Sequence, residues 1–235
     1  MSVYVLSDTH LSITKNKPMD IFGRRWQNHT EKLRSEWLDT VSDGDTVVVP
    51  GDISWAMTLD EAEADLKFLD SLPGTKLIGR GNHDYWWNTA KKMYSYFEQK
   101  GITTLRLLYN NAYDVGDFIV CGSRGWYNDE DTSPKDSDYK KIVAREAMRI
   151  ELSIAEARKL DAEKPIVMFL HFPPVFRDYI CREIVDVLHK HNITRCYFGH
   201  IHALYDIQPT FNFEGIDFYI VSADYLNFRP SRIEL

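Results

Sequence analysis

The chain has 235 residues, 44% of them hydrophobic and 13% aromatic, and a formal net charge of −7. That is apolar material enough for one packed domain over 1–235, and too much for a disordered tail. No apolar run reaches the roughly 18 residues of a membrane helix, and the acidic balance disfavours charge-driven binding to nucleic acid or an anionic membrane.

The start, Met1 to Leu6, has no basic leader and no small-residue cleavage site, and Val3 to Leu6 reads as the first strand. A long connection, Ser12 to Asn28, follows; such loops in compact domains are often functional. Asn28 with Glu31 predicts a capping box, opening a helix whose apolar face is Leu33, Trp37, Leu38 and Val41. Thr46 to Val49 is the second strand. Thr58 with Glu61 repeats the box before a stripe of Leu59, Ala62, Leu66 and Leu69, ended by Pro73-Gly74.

Lys76 to Ile78 is the third strand, and Trp86, Ala90, Met93 and Phe97 trace the third helix. Phe118 to Cys121 is a strand. Asn128 to Asp138 is a polar surface loop before the longest helix, marked by Val143, Ala147, Ile150, Ile154 and Ala157. Strands Ile166 to Leu170, Cys196 to Phe198 and Phe218 to Val221 follow, with a last helix on Ile180, Ile184, Val187 and Leu188. Short β-rich runs alternating with helical patterns define an α/β fold. Cys121, Cys181 and Cys196, odd in number and without C-x-x-C spacing, predict reduced thiols in a cytoplasmic protein.

Five groups of metal-ligand residues each directly follow a strand: Asp8-Thr9-His10, Gly51-Asp52, Gly81-Asn82-His83-Asp84, His171-Phe172-Pro173-Pro174 and Gly199-His200-Ile201-His202. In sheets of β-α units the carboxyl ends of the strands open onto one crevice, so residues distant in sequence converge there. Asp8 and His10 are two apart, as are His200 and His202, so on extended backbone each pair points one way. Imidazole, carboxylate and amide donors without thiolate suit Mn, Fe, Zn, Co or Ni.

The ordered series D-x-H, G-D, G-N-H-D, H and G-H-x-H resembles the calcineurin-like metallophosphoesterase superfamily, in its small single-domain prokaryotic form, over Asp8 to His202. The resemblance implies a sandwich of two mixed β-sheets flanked by helices, and hydrolysis of a small phosphomonoester or phosphodiester, a nucleotide included. It implies two divalent metal ions, the first held by Asp8, His10, Asp52 and His202, the second by Asp52, Asn82, His171 and His200, with Asp52 shared. Two such ions close together can lower the pKa of a common water and clamp phosphoryl oxygens. His83 would donate a proton or a hydrogen bond to the substrate phosphate. The imidazole ligands must be neutral to bind metal, which predicts metal loss as pH falls through about 6.5.

Two other readings stand beside this one. A Ser/Thr protein phosphatase carries G-D-x-V-D-R-G, where this chain has Gly51-Asp52-Ile53-Ser54-Trp55-Ala56; the aspartate that orients the catalytic imidazole is missing there. A non-catalytic binding scaffold on the same fold would have lost ligands, whereas all seven are present. Asp84 is read as the cap of the helix near Trp86. Arg80 and Arg124 are candidate substrate contacts, as are Arg24-Arg25-Trp26 and Trp126-Tyr127, since arginine forks grip phosphate and aromatics stack on bases; solvated arginines over core aromatics are the alternative. His189 and His191 close a helix and are read as structural, and His29 has no readable role.

Overall fold

The structure, a computed structural model, describes residues 1–15, 17–126 and 136–235. In chain order the strands are β1 (Val3–Val5), β2 (Thr46–Val49), β3 (Thr75–Ile78), β4 (Leu105–Leu107), β5 (Asn111–Asp114), β6 (Ile119–Ser123), β7 (Ile166–Leu170), β8 (Val175–Phe176), β9 (Tyr179–Ile180), β10 (Arg195–Phe198), β11 (Thr210–Phe213), β12 (Ile216–Ile220) and β13 (Ser231–Arg232). The helices are α1 (His29–Thr40), α2 (Glu63–Ser71), α3 (Ala90–Lys100), α4 (Asp136–Leu160) and α5 (Arg182–Lys190).

Two mixed sheets result. The first has the order β13-β1-β2-β3-β4, parallel except for β13; the second has the order β11-β12-β10-β7-β6-β5, with antiparallel edges around a parallel centre. Side-chain alternation along each strand explains the layering. Val48, Val120, Val167, Phe169 and Tyr197 point inward into one apolar layer between the sheets. Their neighbours Val47 and Val49 turn outward onto α1, α2 and α3. Ile119, Cys121, Ile166, Met168, Leu170, Cys196 and Phe198 turn outward onto α4 and α5. This is the expected α/β sandwich with helices on both outer faces. The three cysteines are free thiols, all buried in it.

The sheets are stitched together at one end. Beyond β1, Ser7 pairs with Ser222 beyond β12: the Ser7 N–H donates to Val221 and the Ala223 N–H to Ser7, both at 2.8 Å. That seam brings the ends of strands from both sheets to one place.

Several local expectations are corrected. Leu38 is 56% exposed; only Leu33, Trp37 and Val41 form the buried face. Asn28 precedes α1 but makes no side-chain cap; it sits in the left-handed region (φ 52), which asparagine tolerates, and turns the chain from a 3-10 turn into the helix. Thr58 and Glu61 do form their box, the Thr58 hydroxyl accepting from the Glu61 N–H at 3.3 Å and Glu61 from the Met57 N–H at 2.9 Å. The regular helix begins only at Glu63. The third helix starts at Ala90 under a Thr89 cap, after Trp86 has already been buried in the core. Ile180 lies in β9, not in α5. Of the expected loop, residues 128–135 lie outside the described residues, and Asp136 already belongs to α4.

Candidate metal centre

The loop after β1 runs beside the loop after β2. Asp8 donates its N–H to Gly51, His10 to Asp52 and Leu11 to Ile53, at 2.8–3.0 Å. Following this path puts Asp8 (φ 60), His10 (φ 44) and Asp52 (φ 51) in the left-handed region, and His200 (φ 67) joins them from the other sheet. Non-glycine residues there are uncommon and cluster at functional sites.

Space is as restricted as the backbone. A Cβ on Gly81 would lie 2.0 Å from the Asp52 carboxylate, and one on Gly199 would lie 2.1 Å from that of Asp8. Only glycine permits these approaches.

Asp8, Asp52 and His171 are buried, and His10 nearly so. Asp8, His10 and His202 form one group of converging donors; Asp8, Asp52 and His171 form another. The Nε2 atoms of His10 and His202 are 3.3 Å apart, and His202 Nε2 is 3.3 Å from Asp8 Oδ1. Asp52 Oδ2 lies 3.7 Å from His10 Nε2, 3.5 Å from His171 Nε2 and 4.0 Å from His83 Nε2. Asn82 Oδ1 is 2.7 Å from His171 Nε2. The ring of His200 packs edge-on to that of His171 at 5.3 Å, while its backbone N–H donates to both oxygens of Asp8 at 3.0–3.1 Å. All seven residues expected as ligands therefore come to one place, with the His200 ring at its edge.

Asp84 is not a helix cap. Its Oδ2 accepts from the N–H groups of Gly81 and Asp52, and its Oδ1 from those of Ile53 and Ser54 and from the Trp86 indole, at 2.8–3.3 Å. It ties the loop after β3 to the loop after β2. Asp224, which the sequence did not single out, does the corresponding work on the other side. Its Oδ1 accepts from His202 Nδ1 at 2.8 Å, its Oδ2 from the Ala203 N–H and the Tyr205 hydroxyl, both at 3.0 Å. The signal was there: Ser222-Ala223-Asp224 follows a strand, as every ligand group does.

Electrostatics separate the imidazoles. Burial pushes His10 and His171 well below the ordinary histidine value, helped by the neighbouring histidines His202 and His200 respectively. Burial, then Lys17, lowers His83 to about 4. Burial works against His202 as well, but its bonds to Asp224 and Asp8 prevail and raise it to about 10. Burial, then Asp8 and Asp84, pushes Asp52 well above the carboxylate range. Among the described residues no lysine or arginine pairs with Asp8 or Asp52. Two imidazole nitrogens facing each other beside buried, uncompensated carboxylates form a donor set that fits divalent cations.

The remaining candidates divide. Arg80 and Arg124 flank the cluster, each with a buried Nε lacking a partner; the Arg124 carbonyl accepts from the N–H groups of His171 and Phe172. Arg25 is spent on the carbonyls of Asp224 and Tyr225. Trp26 is buried against His10 and His202, and Trp55 stacks on His10. Tyr127 lies outside the described residues. His29 is buried with Nε2 3.3 Å from the His10 carbonyl. His189 and His191 approach Glu214 and Glu151 at the surface.

Fold and donor set together define a metal-binding α/β sandwich with its cluster at the strand ends. The sequence profile of the calcineurin-like phosphoesterase family matches residues 1–204. The chain belongs to that family. Solved structures share the fold: the protein TT1561 of Thermus thermophilus is 11% identical with a TM-score of 0.56, covering 99% of this chain and 97% of that one. A protein of unknown function from Aquifex aeolicus, AQ665, is 16% identical with a TM-score of 0.51, covering 98% and 95%. A comparison with curated proteins returns no match. Family membership supports metal-dependent phosphoester hydrolysis, and among the described residues no helix is long and apolar enough to cross a membrane.

Proposed function

We propose that the chain hydrolyses small phosphomonoesters or phosphodiesters at a centre for two divalent ions. Asp8, His10, Asp52 and His202 would hold one; Asp52, Asn82, His171 and His200 would hold the other. The observation that carries this reading is the position of Asp52. Its Oδ2 stands between His10 Nε2 at 3.7 Å and His171 Nε2 at 3.5 Å, while its Oδ1 accepts the His83 N–H at 2.8 Å. A carboxylate fixed by one oxygen and flanked by two sets of donors is what a shared ligand requires.

The ions, when bound, would polarise the phosphoryl oxygens and lower the pKa of a water that serves as nucleophile. The chain's residues do the rest. Arg80 and Arg124 bring unpaired guanidinium N–H groups to the anionic oxygens of the ester. His83, held at about 4 and hence neutral near pH 7, presents an N–H as a hydrogen-bond donor to the phosphoryl group. Its buried Nδ1 has no partner, as expected from the missing aspartate.

Elemental analysis of protein purified without chelator, or reloaded with manganese or iron, should give close to two ions per chain, with turnover on a panel of phosphoesters. Asp52→Asn should weaken both sites and Asp8→Asn chiefly one. A chain that takes up no metal is a scaffold, and far greater loss from Asp8→Asn than from Asp52→Asn would unseat Asp52 as the shared ligand.

A further inference from the structure

A cleft of about 160 Å³ opens directly on the cluster, lined by His10, His83, His202, Met19, Phe22, Trp26, Trp55 and Ala203. Three of these are the imidazoles of the site. Apart from them the wall is apolar. Trp55 lies between His10 and His83, its ring 4.9 Å and 4.2 Å from theirs, and its only donor is spent on Met19 Sδ at 3.2 Å. The face it shows the cleft is therefore hydrocarbon.

The apolar character continues outside. Phe22, in the cleft wall, is 49% exposed and its neighbour Ile21 71% exposed. Met57, two residues beyond Trp55, is 56% exposed, and Tyr85, whose ring meets His83 edge-on at 6.3 Å, is 55% exposed. Exposed apolar residues scattered singly mean little, but a group of them around the mouth of a site marks what the site receives.

We propose that the ester group of the substrate is an alkyl chain, seated against Trp55, Met19 and Phe22 and leaving the cleft over Ile21. This rests on the phosphoesterase reading and names the substrate class of that site. Two arguments choose an alkyl chain over a sugar or nucleoside. A hydroxyl or base amide carried into this cleft would lose its water and find only the three imidazoles, which the reaction already engages; an unpaired buried polar group is costly. The cleft is also smaller than the 300–1,000 Å³ usual for a whole drug-sized ligand, so it takes one narrow group whose remainder lies outside, on the exposed side chains.

The test uses n-alkyl phosphonates, from methyl to butyl, which bind without being hydrolysed. Their affinity for the manganese-loaded chain is read by calorimetry and by Trp26 and Trp55 fluorescence. Dissociation constants should fall about threefold to fourfold per methylene, the value of burying each in an apolar wall. Phe22→Ala should flatten that slope; the side chain is half exposed, so the fold tolerates its loss. A dissociation constant independent of chain length, or no binding of any phosphonate, overturns the proposal. Turnover of the corresponding alkyl phosphates is measured alongside. A flat affinity series with turnover present overturns the alkyl chain and leaves the phosphoesterase; a steep series without turnover supports the alkyl chain and overturns the hydrolase.

Discussion

The two sides of the metal cluster are stiffened in different ways. On the β1–β3 side the fixed object is backbone: Asp84 collects four N–H groups from two loops and holds the turns that carry Asp52, Asn82 and His83. On the β10–β12 side the fixed object is a ring: Asp224 accepts from His202 Nδ1, so the other nitrogen is left to face Asp8 and His10. Neither carboxylate belongs to the expected ligand set, yet each decides where ligands stand. Removing the first should damage the fold, and removing the second should damage metal affinity.

Asp84→Ala puts this most sharply. It leaves several buried N–H groups without an acceptor, each worth about 1–3 kcal/mol, so urea unfolding of the metal-free chain should show at least about 3 kcal/mol of lost stability. A loss under about 1 kcal/mol, the low end of that range for a single group, would deny Asp84 its place as the tie between the loops.

His83→Asn comes next, with a loss of turnover of about 10²–10³ while metal content stays at the wild-type level. Because burial and Lys17 lower His83 to about 4, it acts as a neutral donor, and the loss should be similar on alkyl and nitrophenyl phosphates. A loss confined to the alkyl ester would instead mark His83 as the acid that protonates a poor leaving group.

The smallest effect distinguishes the histidines by pH. His202, raised to about 10, holds a proton at neutral pH in the free chain. It contributes stability that is present below its unfolded value of about 6.5 and lost as pH rises through about 10. His10 and His171, depressed by burial, act oppositely: the stability of the free chain is lost as pH falls below about 6.5. Metal must therefore displace the His202 proton. Uptake of manganese at about pH 7.5 should release about one proton per chain, and affinity should rise about tenfold per pH unit. In Asp224→Asn the release should shrink and affinity fall about 10–100-fold with little change in unfolding. Equal proton release in both chains would show that Asp224 does not control His202. The single threshold near 6.5 expected from sequence becomes two effects of opposite sign.

This contrast also explains what could be read beforehand. The ligands were legible because each follows a strand whose alternation is strong, as in Val47, Val48 and Val49 or Ile166 to Leu170. Strands β4 and β13, three and two residues long, give too little pattern to see. Leu38 and Ile180 matched helical spacing, but spacing cannot tell a buried position from an exposed one beside it. Asp84 was misread because an acid before a helix has a local explanation, while several of its actual partners lie about thirty residues away. Asp224 stood at a strand end without a histidine beside it, and its role emerges only when the seam between Ser7 and Ser222 brings the two sheets together.

The left-handed backbone at Asp8, His10, Asp52 and His200 has a consequence for how this protein can change. Each such position costs on the order of 1 kcal/mol, and glycine would relieve it. At these four places the substitution that most relaxes the chain is also one that deletes a metal donor. Selection for thermal robustness of the metal-free protein alone, in the laboratory or in nature, would therefore erode the site first, at the very residues that a search for activity must keep.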